Sequence, residues 1–254
     1  MMGVPTYYTR LLAHPGFDAG STRKVRLFTS GSAPLLADTW QDFKTRTGHP
    51  VLERYGMTET GVITTNPLVG ERRSGAVGPA LAGVSVRVVD AQDHPVAPGE
   101  IGHVQTRGAS VFKGYWEMPE KTRQDFTAEG WFRTGDDGVL DTQGYLTLVG
   151  RAKDLVITGG LNVYPSEVEA VIDEHPAVLE SAVIGLPHAD FGEQVVAMVV
   201  LRKDASFDEA ALRTWVRKHL AAFKCPKAWH VLDELPRNAM GKVQKNVLRE
   251  RARV

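Results

Sequence analysis

"VRLFTSGSAP", residues 25–34, followed by "VLERYG", residues 51–56, decides the architecture of the first half of the chain. "VRLFT" reads as a short buried strand that ends in a turn of small residues, "SGSAP". Pro34 suits the first turn of a helix, because its fixed φ is preset for that position and its missing N–H is not needed there. That helix is expected to run to about Arg46, with Gly48 and Pro50 ending it. "VLERYG" then reads as a second strand feeding a loop. Strand, small-residue turn, helix and strand make a βαβ-like unit, so a parallel or mixed sheet is expected.

Outward from this unit the chain changes character twice. Between Gly75 and Gly150, "VSVRVVD", "IGHVQTRG" and "YLTLVG" show partial alternation with β-branched residues, separated by glycine-rich turns. This predicts a small, mostly antiparallel region. After "GRAKD" the pattern becomes β-α-β-β-α-β. "LVIT" is a strand, and Pro165 or Ser166 opens a helix with Ser166 and Glu169 spaced as a capping box. "LESAVIG" and "EQVVAMVVL" are strands. Leu212, Val216 and Phe223, with Trp215 alongside, mark a second helix, and "AWHVL" is a last strand. This is the order of a small split βαβ domain. The boundary is placed at Arg151, in a charged segment with no apolar face of its own.

Composition narrows the function classes. The 254 residues carry 30 basic and 30 acidic side chains, so no global field favours nucleic acid or an anionic membrane. The single cysteine, Cys225, allows no internal disulfide or cysteine-rich zinc site, and it reads as structural. No apolar run reaches membrane-span length, and a cytoplasmic protein is expected. His175, His188, His219 and His230 show no paired ligand spacing, and "PHAD", residues 187–190, reads as a loop with a capping aspartate.

Four stretches carry candidate chemistry. "RYGMTETG", residues 54–61, offers a flat ring at Tyr55, a close backbone approach at Gly56, a hydroxyl at Thr58 and a hard oxygen ligand at Glu59. Such parts could hold a base, a phosphate and Mg²⁺, or simply form a turn with a solvated glutamate. "SGSAP" precedes a helix start, where backbone N–H groups favour anions or polar ligand edges. "WFRTGDDG" places Asp136 after a tight Thr-Gly turn, where a carboxylate can take both hydroxyls of a ribose. The competing reading is a hairpin turn at Asp137-Gly138. "GRAKDLVITGG" brings Arg151 and Lys153 close in sequence to Gly159-Gly160, a pair that lets a backbone lie against an extended ligand, or that simply makes a β-turn after a linker.

In order, "SGSAP", "YGMTE", "GAVGPALAG", "VFKGYWEMPEKT", "TGD", "GRAKDLVITGGLNVYPSEVE" and "PRNAMGKV" resemble the motifs of adenylate-forming enzymes. Within that superfamily the chain looks most like the malonyl-CoA synthetases. The resemblance implies an α/β fold: the end of a large adenylate-forming domain, with a mixed sheet and a small antiparallel region, then a small α+β carboxyl-terminal domain. Residues 1–150 would be a partial AMP-binding large domain, and 151–254 the AMP-binding C-terminal domain. It implies an acid–CoA ligase that uses ATP, Mg²⁺ and coenzyme A on a small carboxylic acid. Gly31, Ser32 and Ala33 would line the adenine site. Tyr55, stacked on the base, would join Gly56 and Met57 in holding the nucleotide. Thr58 would contact the α-phosphate and Glu59 would bind Mg²⁺. Asp136, with Arg151 close by, would hold the ribose. Lys153 would be the hinge, Gly159 and Gly160 would line the path of the pantetheine arm, and Lys242 would act in adenylation. Arg10, in "PTYYTR", is the candidate partner for a second carboxylate on the acid.

Two departures qualify the resemblance. "GVITTNP" after "YGMTET" is less polar than in the malonate enzymes, so methyl-substituted malonates and short monocarboxylates stay open. No Ser/Thr/Gly-rich phosphate loop lies upstream, and "MMGVPT" matches an interior segment of the family. The expectation is therefore a C-terminal half-enzyme, impaired alone. A split enzyme needing a separate N-terminal partner and a non-catalytic nucleotide- or CoA-binding module are the alternatives.

Overall fold

The helix anticipated from Pro34 starts three residues later, at Ala37, in the computed structural model, which describes residues 1–238 and 241–252. Leu35 is drawn into the core, Leu36 is extended, and Ser32 has a left-handed φ of 72°. The chain therefore bends before it can coil. Gly48 does end the helix: its φ is 76°, and its N–H donates to the Lys44 carbonyl at 2.8 Å.

The chain divides into two compact units, Met1–Leu148 and Val149–Val254. The first begins with β1 (Met2–Gly3), α1 (Pro5–Ala13), α2 (Ala19–Thr22), β2 (Thr29–Ser30), α3 (Ala37–Thr47), β3 (Leu52–Met57) and β4 (Gly61–Thr65). Strands β1, β2 and β3 run parallel, and β4 turns back antiparallel on β3. This is the expected mixed sheet. Tyr8 of α1 and Trp40 and Phe43 of α3 pack with Phe28, Leu35 and Val51 beside it. Phe43 is the hub, with the rings of Tyr8, Phe17 and Phe28 all within 5.6 Å of its centroid.

The antiparallel region follows as β5 (Val84–Val89), β6 (Ile101–Gly108), α4 (Pro119–Asp125), β7 (Phe132–Leu140) and β8 (Leu146–Arg151). These strands form one sheet in chain order. "RTGDDG", expected to turn, lies within β7 instead. Gly135, at φ 74°, lies in a segment where the β6–β7 register shifts, and the strand continues through Asp137 and Gly138 to Leu140.

The second unit contains β9 (Val156–Thr158), β10 (Leu161–Val163), α5 (Pro165–Asp173), β11 (Val178–His188), β12 (Gly192–Leu201), α6 (Glu209–His219), β13 (Ala228–Val231) and α7 (Lys245–Arg251). The expected elements are present, with β10 and α7 added. Both faces of the sheet are covered. Val195, Ala197 and Val199 of β12 pack on one side with residues of α5 and α6, while Val196, Met198 and Val200 pack on the other with Leu248 of α7. This is why "VVAMVV" reads as a continuous apolar run. Cys225 belongs to the first cluster, and burial raises its thiol pKa, in keeping with a structural role.

The capping box is overturned. Pro165 occupies the first helical turn and Tyr164 is the N-cap, so Ser166 already lies inside the helix. Its hydroxyl donates to the Val149 carbonyl, while Glu169 accepts the Val183 N–H at 2.7 Å. Phe223 lies beyond α6, in a short 3₁₀ turn. In "PHAD" it is His188 Nδ1, not the aspartate side chain, that accepts a local N–H, that of Asp190, at 3.2 Å.

Phe43→Ala removes the ring on which three other aromatics converge. We expect a stability loss of about 3–5 kcal/mol, read as a lowered urea midpoint. A change under about 1 kcal/mol would mean that the cluster does not hold the first unit together.

Candidate active site

Strands β2 and β3 are parallel neighbours, so the loops at their carboxyl ends emerge side by side, the usual place for a ligand in an open α/β sheet. "SGSAP" leaves β2 there, and "YGMTE" ends β3. A Cβ on Gly31 would lie 3.2 Å from the Arg54 carbonyl, so the first loop packs directly on the residue before Tyr55. Ser32 and Ala33 are exposed beyond it. The hydroxyls of Thr29 and Ser30 are buried without a hydrogen-bond partner at the end of β2.

The segment read as a loop from Arg54 to Gly61 is mostly strand. Only Thr58, Glu59 and Thr60 lie between β3 and β4. Closure this tight is allowed by Gly56, where an added Cβ would sit 2.1 Å from the Gly61 carbonyl oxygen. The pairing slips between Tyr55 and Gly56. Tyr55 is buried among Ile63, Val88, Val104 and Leu146. Its hydroxyl donates to Asp136 Oδ2 at 2.5 Å. Two predicted nucleotide residues 81 positions apart are therefore in direct contact.

Asp136 and its neighbour point to different partners, as alternation along a strand requires. Asp137 is buried and meets His103 Nδ1 at 2.7 Å, a pair that sequence reasoning did not find. Thr58 is exposed at the turn, and Glu59 is half-buried. The Glu59 carbonyl accepts the Phe112 N–H at 2.7 Å, which brings "VFKGYWEMPEKT" to the same turn. Burial, then the carboxylates of Asp125 and Glu59, push the Tyr115 phenol up to about 12. No periodicity marked Tyr115 or Asp125, because both act through a long-range loop contact.

Glu53 was missed as well. It is 5% exposed and accepts the Gly75 N–H at 3.1 Å. Burial pushes its pKa up to about 7, against hydrogen bonds from the backbone of Gly75 and Leu35. It thereby ties the end of the "SGSAPL" loop to the turn at Gly75.

The remaining candidates occupy separate places. Arg10 is exposed on α1 and lines a cavity of about 610 Å³ with Tyr7, Leu11, His14 and Phe17. In the second unit, Arg151 and Lys153 are exposed. Gly159 and Gly160 form the two-residue tip of the β9–β10 hairpin with φ of 57° and 78°, as a type I′ turn demands. Lys242 is exposed beside Gly241, whose φ is 78°. Ala239 and Met240 of its motif lie outside the described residues.

Among the described residues no three His, Cys, Asp or Glu side chains converge as a metal cluster. A lone carboxylate such as Glu59 still fits Mg²⁺, which is commonly held by one or two carboxylates together with substrate phosphates and water. Gly31 and Gly56 let neighbouring backbone segments close up here, since a Cβ at either position would press on the Arg54 or Gly61 carbonyl oxygen.

Comparison with known proteins gives the family. The profile of AMP-binding enzymes matches residues 1–116, and that of the AMP-binding enzyme C-terminal domain matches residues 167–242. The chain belongs to the AMP-binding enzymes. ATP-bound MatB from Rhodopseudomonas palustris is 57% identical, with a TM-score of 0.95 over 98% of this chain and 50% of that one. The sulfoacetate–CoA ligase of Cupriavidus necator is 41% identical over 95% of this chain and 47% of its own length. The malonate–CoA ligase of Arabidopsis thaliana is 39% identical over 98% of this chain and 43% of its own length. This AMP-binding enzyme chain thus spans about half the length of the curated relatives it matches. No helix among its described residues is long and apolar enough to cross a membrane.

Glu53 makes stability fall with rising pH. Its ordinary pKa is 4.5 and its folded value about 7, so between these the folded chain holds a proton that the unfolded chain has released. The protonated form carries no penalty below pH 4.5, and the full penalty, roughly 3 kcal/mol, stands above pH 7. Glu53→Gln is expected to match the parent near pH 4.5 and exceed it by roughly that amount at pH 8. Urea unfolding across this range checks it, and parallel curves for the two proteins would refute it.

Proposed function

We propose that the chain supplies the carboxyl-terminal half of an ATP-dependent, AMP-forming acid–CoA ligase of the malonyl-CoA synthetase type. The contact that carries this reading is the Tyr55 hydroxyl on Asp136, with Gly31 packed against Arg54. It joins a ring for the base to a carboxylate for the ribose in one cradle. Gly31, Ser32, Ala33, Gly56 and Met57 complete the nucleotide site, Thr58 meets the α-phosphate, and Arg151 assists at the ribose. Glu59 would hold Mg²⁺, which would supply charge neutralisation on the phosphates. The acid's carboxylate oxygen attacks the α-phosphorus and the bond to pyrophosphate breaks. Lys242 stabilises the negative charge that gathers there. The coenzyme A thiolate then attacks the acyl carbon along Gly159 and Gly160, and AMP leaves. Rotation at Lys153 separates the two steps, because a lysine needed in one obstructs the other.

Malonate and sulfoacetate, the acids named for two relatives, each carry a second anionic group. Arg10 is the proposed partner for such a group. The rest of the relatives' length, which this chain does not cover, would complete the phosphate site. A cytoplasmic setting suits the lone buried cysteine.

AMP titrated into the 254-residue chain should bind, and Asp136→Ala should weaken it on the order of tenfold. Absence of AMP binding would sink the nucleotide cradle. The chain alone should support little ATP–pyrophosphate exchange with malonate. Paired with the amino-terminal segment of a relative it should exchange, and Lys242→Ala should cut that rate by about 10²-fold or more while sparing thioester formation from supplied acyl-adenylate. Equal exchange rates with and without Lys242 would refute its role.

A further inference from the structure

The turn that bears Lys242 is closed by its own backbone and then tied down on both sides. The Asn238 N–H donates to the Lys242 carbonyl at 2.9 Å, and the Lys242 N–H donates to Asn238 Oδ1 at 3.0 Å. Arg237 and Val243 face each other as an isolated antiparallel bridge, and the Gln244 N–H reaches the Pro236 carbonyl at 2.8 Å. Two ion pairs flank this hairpin. Before the lysine, Arg237 donates through Nη1 to the Gly241 carbonyl at 2.7 Å and through Nη2 to Glu180 of β11. After it, Lys245 Nζ lies 2.6 Å from Glu169 Oε1 of α5, with both side chains under 20% exposed. The same Glu169 oxygen accepts the Val183 N–H, so it is fixed to β11 as well.

We propose that Arg237, through Glu180, is a positioning residue for Lys242. This rests on the proposed role of Lys242. A lysine side chain is long and rotatable, so it can be aimed only if its Cα is held, and Gly241 at φ 78° gives the preceding backbone no stiffness of its own. Arg237 supplies the stiffness. One arm of its planar guanidinium holds the carbonyl immediately before Lys242, and another holds a carboxylate on β11, an edge strand anchored by Ala182, Ile184 and Leu186 in the apolar core. A lysine at 237 would keep the charge and lack the fork that serves both partners. Glu169 and Lys245 fix the far side, where α7 begins. The Lys242 side chain itself stays exposed, free to reach a ligand while its base is held.

Arg237→Gln tests this in two ways. In the 254-residue chain, hydrogen exchange of the Gly241–Val243 amides should accelerate at least about tenfold, with the urea midpoint unchanged. Unchanged exchange would overturn the clamp, and this readout does not depend on any activity. In the chain paired with an amino-terminal segment, the kcat of ATP–pyrophosphate exchange should fall about 10- to 100-fold. The KM for ATP should hold, as should thioester formation from supplied acyl-adenylate. Arg237→Lys should rescue only part of the loss. Glu180→Gln should reproduce the direction of both effects, and it serves as the test should Arg237→Gln fold poorly. Faster exchange with undiminished adenylation would overturn the positioning role. Undiminished adenylation in Lys242→Ala itself would instead overturn the underlying reading of the lysine.

Discussion

Everything in the candidate nucleotide site depends on how closely two strands approach at Gly56. The space there is so small that a Cβ would lie 2.1 Å from a carbonyl oxygen across the hairpin. With glycine in place, β3 turns back after only three residues, and the shift in pairing between Tyr55 and Gly56 turns the tyrosine inward. The ring then lies in the apolar cluster with Ile63 and Val104, and its hydroxyl donates to Asp136. Glu59 is left at the tip, held through its backbone carbonyl by Phe112. One missing side chain thus sets the place of three groups with different chemistry.

A polar network runs behind this hairpin. Glu53, on the same strand, spends its carboxyl group on the backbone of two neighbouring loops, and burial holds it near neutrality. Asp137 meets His103 on the opposite side of β7 from the tyrosine contact. Buried polar groups of this kind are costly unless satisfied, and here they tie loops that would otherwise move independently. The second unit uses a different device. Its sheet is covered on both faces by apolar clusters, so rigidity is plentiful, and the ion pairs of Glu169 and Glu180 carry that rigidity out to an exposed turn.

Much of this is legible in the sequence. The run "EQVVAMVVL" announced a strand, and Gly48 announced the end of α3, because each rests on local backbone geometry or short-range composition. The failures share one cause. Ser166 and Glu169 have the spacing of a capping box, yet tertiary partners, the Val149 carbonyl and the Val183 N–H, outbid the local arrangement. Asp137-Gly138 has the composition of a hairpin turn, yet pairing with β6 keeps it extended. Pro34 could start a helix, yet burial of Leu35 delays the start to Ala37.

By itself the sequence determined the order of the elements, the mixed and antiparallel character of the sheets, and which side chains have groups able to meet a base, a phosphate or a ribose. Those follow from dihedral preferences, apolar periodicity and side-chain type, all readable within a few residues. Only the tertiary structure decided that Tyr55 touches Asp136, that Tyr115 and Glu53 share the neighbourhood of the hairpin, and that Arg237 holds the carbonyl before Lys242. Contacts such as Tyr55 to Asp136 and Arg237 to Glu180 depend on strand register and on what each turn leaves within reach, and neither is encoded by residues adjacent in the chain.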